Sequence, residues 1–197
     1  MFQLNSLSVF LIAILHVSSG NSVLISTTAE LRTALSQDAL TIRLAAGEYL
    51  LTEELTIARD VTITADVMGQ DVTINGQDST RVLKITAGPV EIIGLKIKQG
   101  SAGGSGSAGG SLGLRFGGGA RIEPSTGTPV YVRFHTCVFQ ANIADFGSAL
   151  TVAGHRSTAV AELNNCTLDS NIKFASGNNP QTLGGSDVYS EGSVFVS

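Results

Sequence analysis

Tryptophan is absent from this 197-residue chain, proline occurs only 4 times, and charged side chains make up just 14% of it. Against these shortages stand 23 glycines and a hydrophobic content of 43%, a balance unusual for a helical protein and suited to a β protein with many turns. One sizeable core can form in a chain of this size, so a single domain is expected. Charge is too scarce to attract a polyanion. The net charge is −4, with no Lys/Arg run and no basic stripe interleaved with aromatics, which excludes nucleic acid and anionic membrane surfaces as expected partners.

Long hydrophobic runs are missing too, except at the start. Residues 1–20, MFQLNSLSVFLIAILHVSSG, carry no charged side chain, are almost wholly apolar from Leu7 to Val17, and close with Ser18, Ser19 and Gly20. That is the layout of a secretory signal peptide, and the apolar run is shorter than the ~20 residues of a membrane span. Cleavage is expected near Gly20 or Ser22, leaving a secreted or cell-surface domain, 21–197, with no membrane span. Its two cysteines, Cys137 and Cys166, then sit in an oxidising compartment.

Along this domain, Thr27 followed by Glu30 fits a capping box, and Leu31 with Leu35 gives a helical stripe, so one helix of about two turns is expected at 27–35. After it the period becomes two. TIRL at 41, LTI at 55, VTIT at 61, VTIN at 72, RVLKI at 81, VEII at 90 and LKIK at 95 are β-branched runs broken by Gly, Asp and Asn. Neither crossover helices nor tight hairpin turns lie between them.

A repeat explains how such strands pair. VRFHTCVFQAN at 132 and AELNNCTLDSN at 161 share one pattern, and the apolar starts Val61, Val90, Val132 and Ala161 are evenly spaced once a Gly/Ser-rich insertion at 100–112 is removed. A second register, GGARIE at 118, GSALTV at 147 and GSDVYS at 185, runs behind the first. Fixed periods of short strands without helices select a β-solenoid of about four coils. Equivalent residues then stack in columns: Val90, Ile92, Leu95 and Ile97 under Val132, Phe134, Cys137 and Phe139, under Ala161, Leu163, Cys166 and Leu168. Glu91, Arg133 and Glu162 form an outward column of alternating charge. Asn142 and Asn171 fall at strand ends, where asparagine tolerates left-handed φ.

The pair Phe139-Gln140-Ala141-Asn142 and Gly147-Ser148-Ala149-Leu150 resembles the FxxN and GGA(I/L/V) repeats of the chlamydial polymorphic membrane proteins, and more generally the repeats of pectin-lyase-like proteins. Leu168-Asp169-Ser170-Asn171 with Gly184-Gly185-Ser186-Asp187, and Gly118-Gly119-Ala120-Arg121, look like degenerate copies. The resemblance implies an all-β, right-handed parallel β-helix whose open end is covered by the short N-terminal helix. For enzymes of that superfamily it would also imply clustered acids that bind Ca²⁺ in lyases, or a carboxylate pair in hydrolases, with a basic residue nearby.

No such constellation is legible. Asp60, Asp66, Asp71 and Asp78 fall at turn-like places, Asp145, Asp169 and Asp187 at three different repeat positions, and Arg81 and Arg133 are the basic residues at hand. No catalytic residue, cofactor or metal site is therefore assigned, Ca²⁺ being implied only under the lyase reading. His135 and His155 lack Cys or Asp at ligand spacing, and GGSGSAGG lacks the Gly-Lys-Ser/Thr ending of a phosphate loop. Cys137 and Cys166, stacked ~4.8 Å apart, suit either a disulfide or a pair of buried thiols. Asn165-Cys166-Thr167 formally matches an N-glycosylation site at Asn165. The closing strand at Ser193–Ser197 leaves a coil end that another chain or further coils could cover. The expected function is a structural or binding module, adhesin-like and contacting polysaccharide or a surface protein. The competing expectation is a pectate-lyase-like enzyme on cell-wall polysaccharide.

Overall fold

The computed structural model describes residues 21–103, 115–125, 128–153, 159–173 and 187–197. The leader read at 1–20, most of the Gly/Ser segment, His155 and residues 184–186 lie outside the described residues. Strand β1 (Ser22–Ile25) leads into α1 (Thr28–Ser36), whose start follows directly from the capping box. The Thr27 hydroxyl accepts from Glu30 N, and the Glu30 carboxylate accepts from the backbone N–H groups of Ser26 and Thr27. Leu31 and Ala34 are the helix's buried face.

The chain then makes five passes of short strands. They are β2 (Thr41–Leu44), β3 (Gly47–Leu50) and β4 (Leu55–Ala58); β5 (Val61–Ala65), β6 (Val72–Asn75) and β7 (Leu83–Ala87); β8 (Val90–Ile93), β9 (Lys96–Lys98) and β10 (Ala120–Ile122). The fourth pass is β11 (Val130–His135), β12 (Val138–Gln140), β13 (Ile143–Ala144) and β14 (Leu150–Val152). The fifth is β15 (Ala159–Asn164), β16 (Thr167–Asp169), β17 (Ile172–Lys173) and β18 (Val188–Ser190), and β19 (Ser193–Val196) follows. Strands pair with their counterparts in neighbouring passes, always parallel. The result is a seven-stranded sheet, β1-β2-β5-β8-β11-β15-β19; two five-stranded sheets, β16-β12-β9-β6-β3 and β18-β14-β10-β7-β4; and the small pair β13-β17. The fold is thus all-β, in stacked parallel sheets with one short helix. Among the described residues no helix is long and apolar enough to cross a membrane.

The main register is the expected one, Val61 to Val90 to Val132 to Ala161, and it continues to Val194. Three readings need correction. Five passes are present rather than four, because Thr41 pairs with Thr62, a step too short to fit the 29-residue period. The second register slips by one: Ala120 pairs with Leu150, not Ala149, so Phe116-Gly117 lies on Phe146-Gly147. The insertion begins later than Gly100. Ser101 bridges Ile143, and Ala102 N donates to Ile143 O, so Gly100 to Ala102 belong to the stack despite their low-complexity composition.

Inward positions of all passes merge into one core, which includes Ile63, Ile92, Phe134, Ile97, Cys137 and Phe139. Phe134 and Phe139 meet edge to face with centroids 5.1 Å apart, and burying a side chain of that size stabilises by about 1.5–3 kcal/mol. Sharp corners between strands are made by left-handed residues, Gly94, Thr136 and Asn165 in one column and Gln99, Ala141 and Ser170 in the next. The left-handed residue is therefore the one before each repeat asparagine rather than the asparagine itself. Asn142 does something else: fully buried, it accepts from Gly100 N and donates to Ile97 O and to Asn171 Oδ1 at 2.9–3.0 Å. Its carboxamide replaces backbone pairing where the chain turns. Gly100 must lack a side chain here, since a Cβ would collide with the Gly118 carbonyl oxygen and press to 2.9 Å from Asn142 Oδ1.

Candidate functional site

Because side chains alternate along a strand, one set on each strand of the seven-stranded sheet points away from the core. The paired row Thr41, Thr62, Glu91, Arg133, Glu162, Phe195 crosses that face, with His135 and Asn164 in the next row and Tyr131 beside Arg133. Thr41, Thr62, Glu91, Tyr131, Arg133 and Glu162 of this face line a groove of about 540 Å³, together with Leu40 and Asp60, while His135 and Asn164 lie beside it. The expected charge column is therefore in place, and it floors a concave surface.

The polar groups are coupled across strands. Arg133 Nε donates to Glu162 Oε2 at 3.0 Å, His135 Nε2 lies 3.3 Å from Glu91 Oε1, and Asn164 Nδ2 donates to Glu162 Oε1 at 3.2 Å. His135 Nδ1 also lies 3.3 Å from Asn164 Nδ2. The hydrogen bond from Asn164, aided by Arg133, holds the Glu162 carboxyl below the usual carboxylate range, so it stays ionised. Tyr131 is 53% exposed and offers an aromatic face beside these charges. Arg133 and Glu162 are open to water, so their pairing is weak and a ligand can compete for their polar atoms.

The arrangement does not fit a Ca²⁺ cage. Glu91 and Glu162 flank Arg133 at about twice the ~4.8 Å strand spacing, the guanidinium pairs with Glu162, and among the described residues no three His, Cys, Asp or Glu side chains converge. Five of the other aspartates singled out in the sequence are engaged elsewhere. Asp66 pairs with Arg43, Asp71 with Lys96 and Asp145 with Arg115; Asp78 accepts from Gln99, and Asp169 from Gln140 and Ser170. Only Asp60 of that early group reaches the groove. Arg81, read as a basic partner on the surface, is instead buried. Its guanidinium donates to Glu54 Oε2 and to the carbonyls of Phe116 and Gly117, stitching the first pass to the start of β10.

Cys137 and Cys166 are both free thiols in one column, the first fully buried and the second half-buried. Asn165 is exposed at its corner, with its backbone N–H donating to Ser197 O. Sequence reasoning missed His135 and Tyr131 as members of the site. Their signal was present, since Tyr131, Arg133 and His135 alternate along a single strand. A second cluster was also missed: Phe116, Phe146 and Tyr189 pack with centroids 5.3–5.6 Å apart, with Arg121 over Phe116 and Lys173 over Phe146.

No family model, no curated protein and no solved structure matches this chain.

Proposed function

We propose that this chain is a secreted or cell-surface right-handed parallel β-helix of the pectin-lyase-like kind, serving as a binding module that holds a polysaccharide chain along its seven-stranded face. The observation that carries the reading is the groove. It combines an exposed aromatic ring, hydroxyls, three carboxylates and a guanidinium along one face, the donors, acceptors and stacking surface that a hydroxyl-rich polymer needs. The uncharged leader supports secretion, and the regular parallel stacking supports the helix-like coil. A lyase or hydrolase reading draws less support, because the arginine between Glu91 and Glu162 neutralises the span where a carboxylate pair would act.

Affinity electrophoresis against a panel of neutral and uronate-containing polysaccharides tests this. Retardation by at least one of them, weakened about tenfold in Tyr131→Ala with circular dichroism unchanged, is the expected result. Equal retardation of wild type and variant, or none on any polymer, defeats the reading. Incubation with polygalacturonate and Ca²⁺ separates the enzymatic alternative: a steady, protein-dependent rise in ultraviolet absorbance from unsaturated products would establish a lyase.

A further inference from the structure

Cys137 and Cys166 occupy the same inward column, one pass apart. Thr167 N donates to Cys137 O exactly as Val138 N donates to Leu95 O, so the two cysteines sit on directly paired segments. Paired segments stand ~4.8 Å apart, within the Cα separation of ~4.4–6.8 Å that a disulfide tolerates. Their sulfurs lie parallel, Cys137 Sγ toward Ile92 O at 3.4 Å and Cys166 Sγ toward Phe134 O at 3.3 Å. Each cysteine follows a left-handed corner residue, Thr136 or Asn165, and lies between strands rather than inside a ladder. The two thiols differ in access: Cys137 is 0% exposed, whereas Cys166 is only partly covered.

We propose that Cys137 and Cys166 form a thiol–disulfide exchange site, in which the accessible Cys166 reacts first with a small external disulfide and the buried Cys137 then resolves it, clasping the fourth pass to the fifth. In the first step the Cys166 thiolate attacks the external disulfide RSSR; a Cys166–S–S–R bond forms and RS⁻ leaves, taking a proton from water. In the second, Cys137 gives its proton to solvent and attacks the Cys166 sulfur, releasing the second RS⁻. Two protein thiols are oxidised by two electrons, and one external disulfide is reduced to two thiols. The local chemistry favours this order. A hydrogen bond between the two sulfur side chains brings Cys166 down to about 7, against the opposing effect of its burial. The same bond, with burial added, pushes Cys137 up. Cys166 is thus the nucleophile near neutral pH, and Cys137 keeps its proton until the mixed disulfide exists. The site lies on the inner side of the sheets and is independent of the polysaccharide groove.

The test uses the full chain, reduced, freed of reductant, exposed to oxidised glutathione and quenched in acid for intact mass. Wild type is expected to become lighter by two hydrogens and to retain no glutathione. Cys137→Ser should retain one glutathione on Cys166, and Cys166→Ser should gain neither. The wild-type rate should climb with pH through about 7 and level off above it, and the oxidised wild type should melt at a higher temperature than the reduced. Circular dichroism checks each variant's fold, with Cys137→Ala replacing Cys137→Ser if the latter unfolds. Wild type that stays reduced, wild type that accumulates the glutathione adduct without closing, or Cys166→Ser reacting as fast as wild type would each overturn the proposal.

Discussion

Val23 and Val196 occupy the same inward position at the first and last strands of the seven-stranded sheet, yet Val23 is 7% exposed and Val196 79%. The five residues between them in that column, at β2, β5, β8, β11 and β15, are all at 2% or less. At the β1 end α1 packs over the sheet, Tyr49 donates its hydroxyl to Ile25 O and Ala45 O, and Arg59 donates to the carbonyls of Ala34, Leu35 and Ala39. The last carbonyls of the helix and the chain that follows are thereby satisfied. At the β19 end, Phe195 and Ile172 are exposed, and Leu168 and Cys166 are half-covered. The same repeat supplies apolar residues at both ends, so burial there is decided by what lies over the column. The repeat itself carries no instruction for that.

Substitutions should expose the contrast, most strongly within the columns. Phe139→Ala, mid-stack, should lose about 3–5 kcal/mol in urea unfolding, whereas Val196→Ala should change stability by under about 0.5 kcal/mol; equal losses would show that the β19 end is as well packed as the middle. Asn142→Ala strands the Gly100 N–H and the Ile97 carbonyl and should lose about 2–3 kcal/mol. Asn171→Ala, whose side chain serves Asn142 and Phe139 O from a half-buried position, should lose about 1 kcal/mol. Thr27→Ala removes the helix cap and should lower stability by about 1 kcal/mol, read as a lower melting temperature.

The smallest effect concerns acid. Hydrogen bonds from Lys98 and Asn75 hold the Glu48 carboxyl below its usual range, and those from Lys96 and Thr73 do the same for Asp71. Folded-state values lower than unfolded ones mean that these groups stabilise above the ordinary carboxylate range, an increment lost as pH falls through the lowered values. Both carboxylates face water, so Lys98→Met should remove under about 0.5 kcal/mol of the stability difference between neutral and acid pH. The pair sits at the covered end.

The columns were legible because a core position is a local property repeated at a fixed interval, and Phe134 over Leu163 or Cys137 over Cys166 needs only the interval. The capping box was legible for the same local reason. The first pass was not, since Ile42 to Ile63 is a shorter step than Val61 to Val90. Nor was the place of Gly100 to Ala102, where glycine and serine hide a continuing register. Arg81 read as surface charge because nothing near it in sequence announces Glu54 or the carbonyls of Phe116 and Gly117 that enclose it. His135 and Tyr131 became part of the site only through neighbours 29 or more residues away, such as Asn164 and Glu91.

The longer step between β8 and β11 has a consequence for how such a chain can change over generations. Closing a loop of 42 residues instead of 29 adds only about 0.3 kcal/mol of chain entropy, less than the thermal energy. Sequence can therefore be gained or lost between Gly103 and Arg115 almost invisibly to stability. New length can accumulate there first, while the columns before and after hold their spacing.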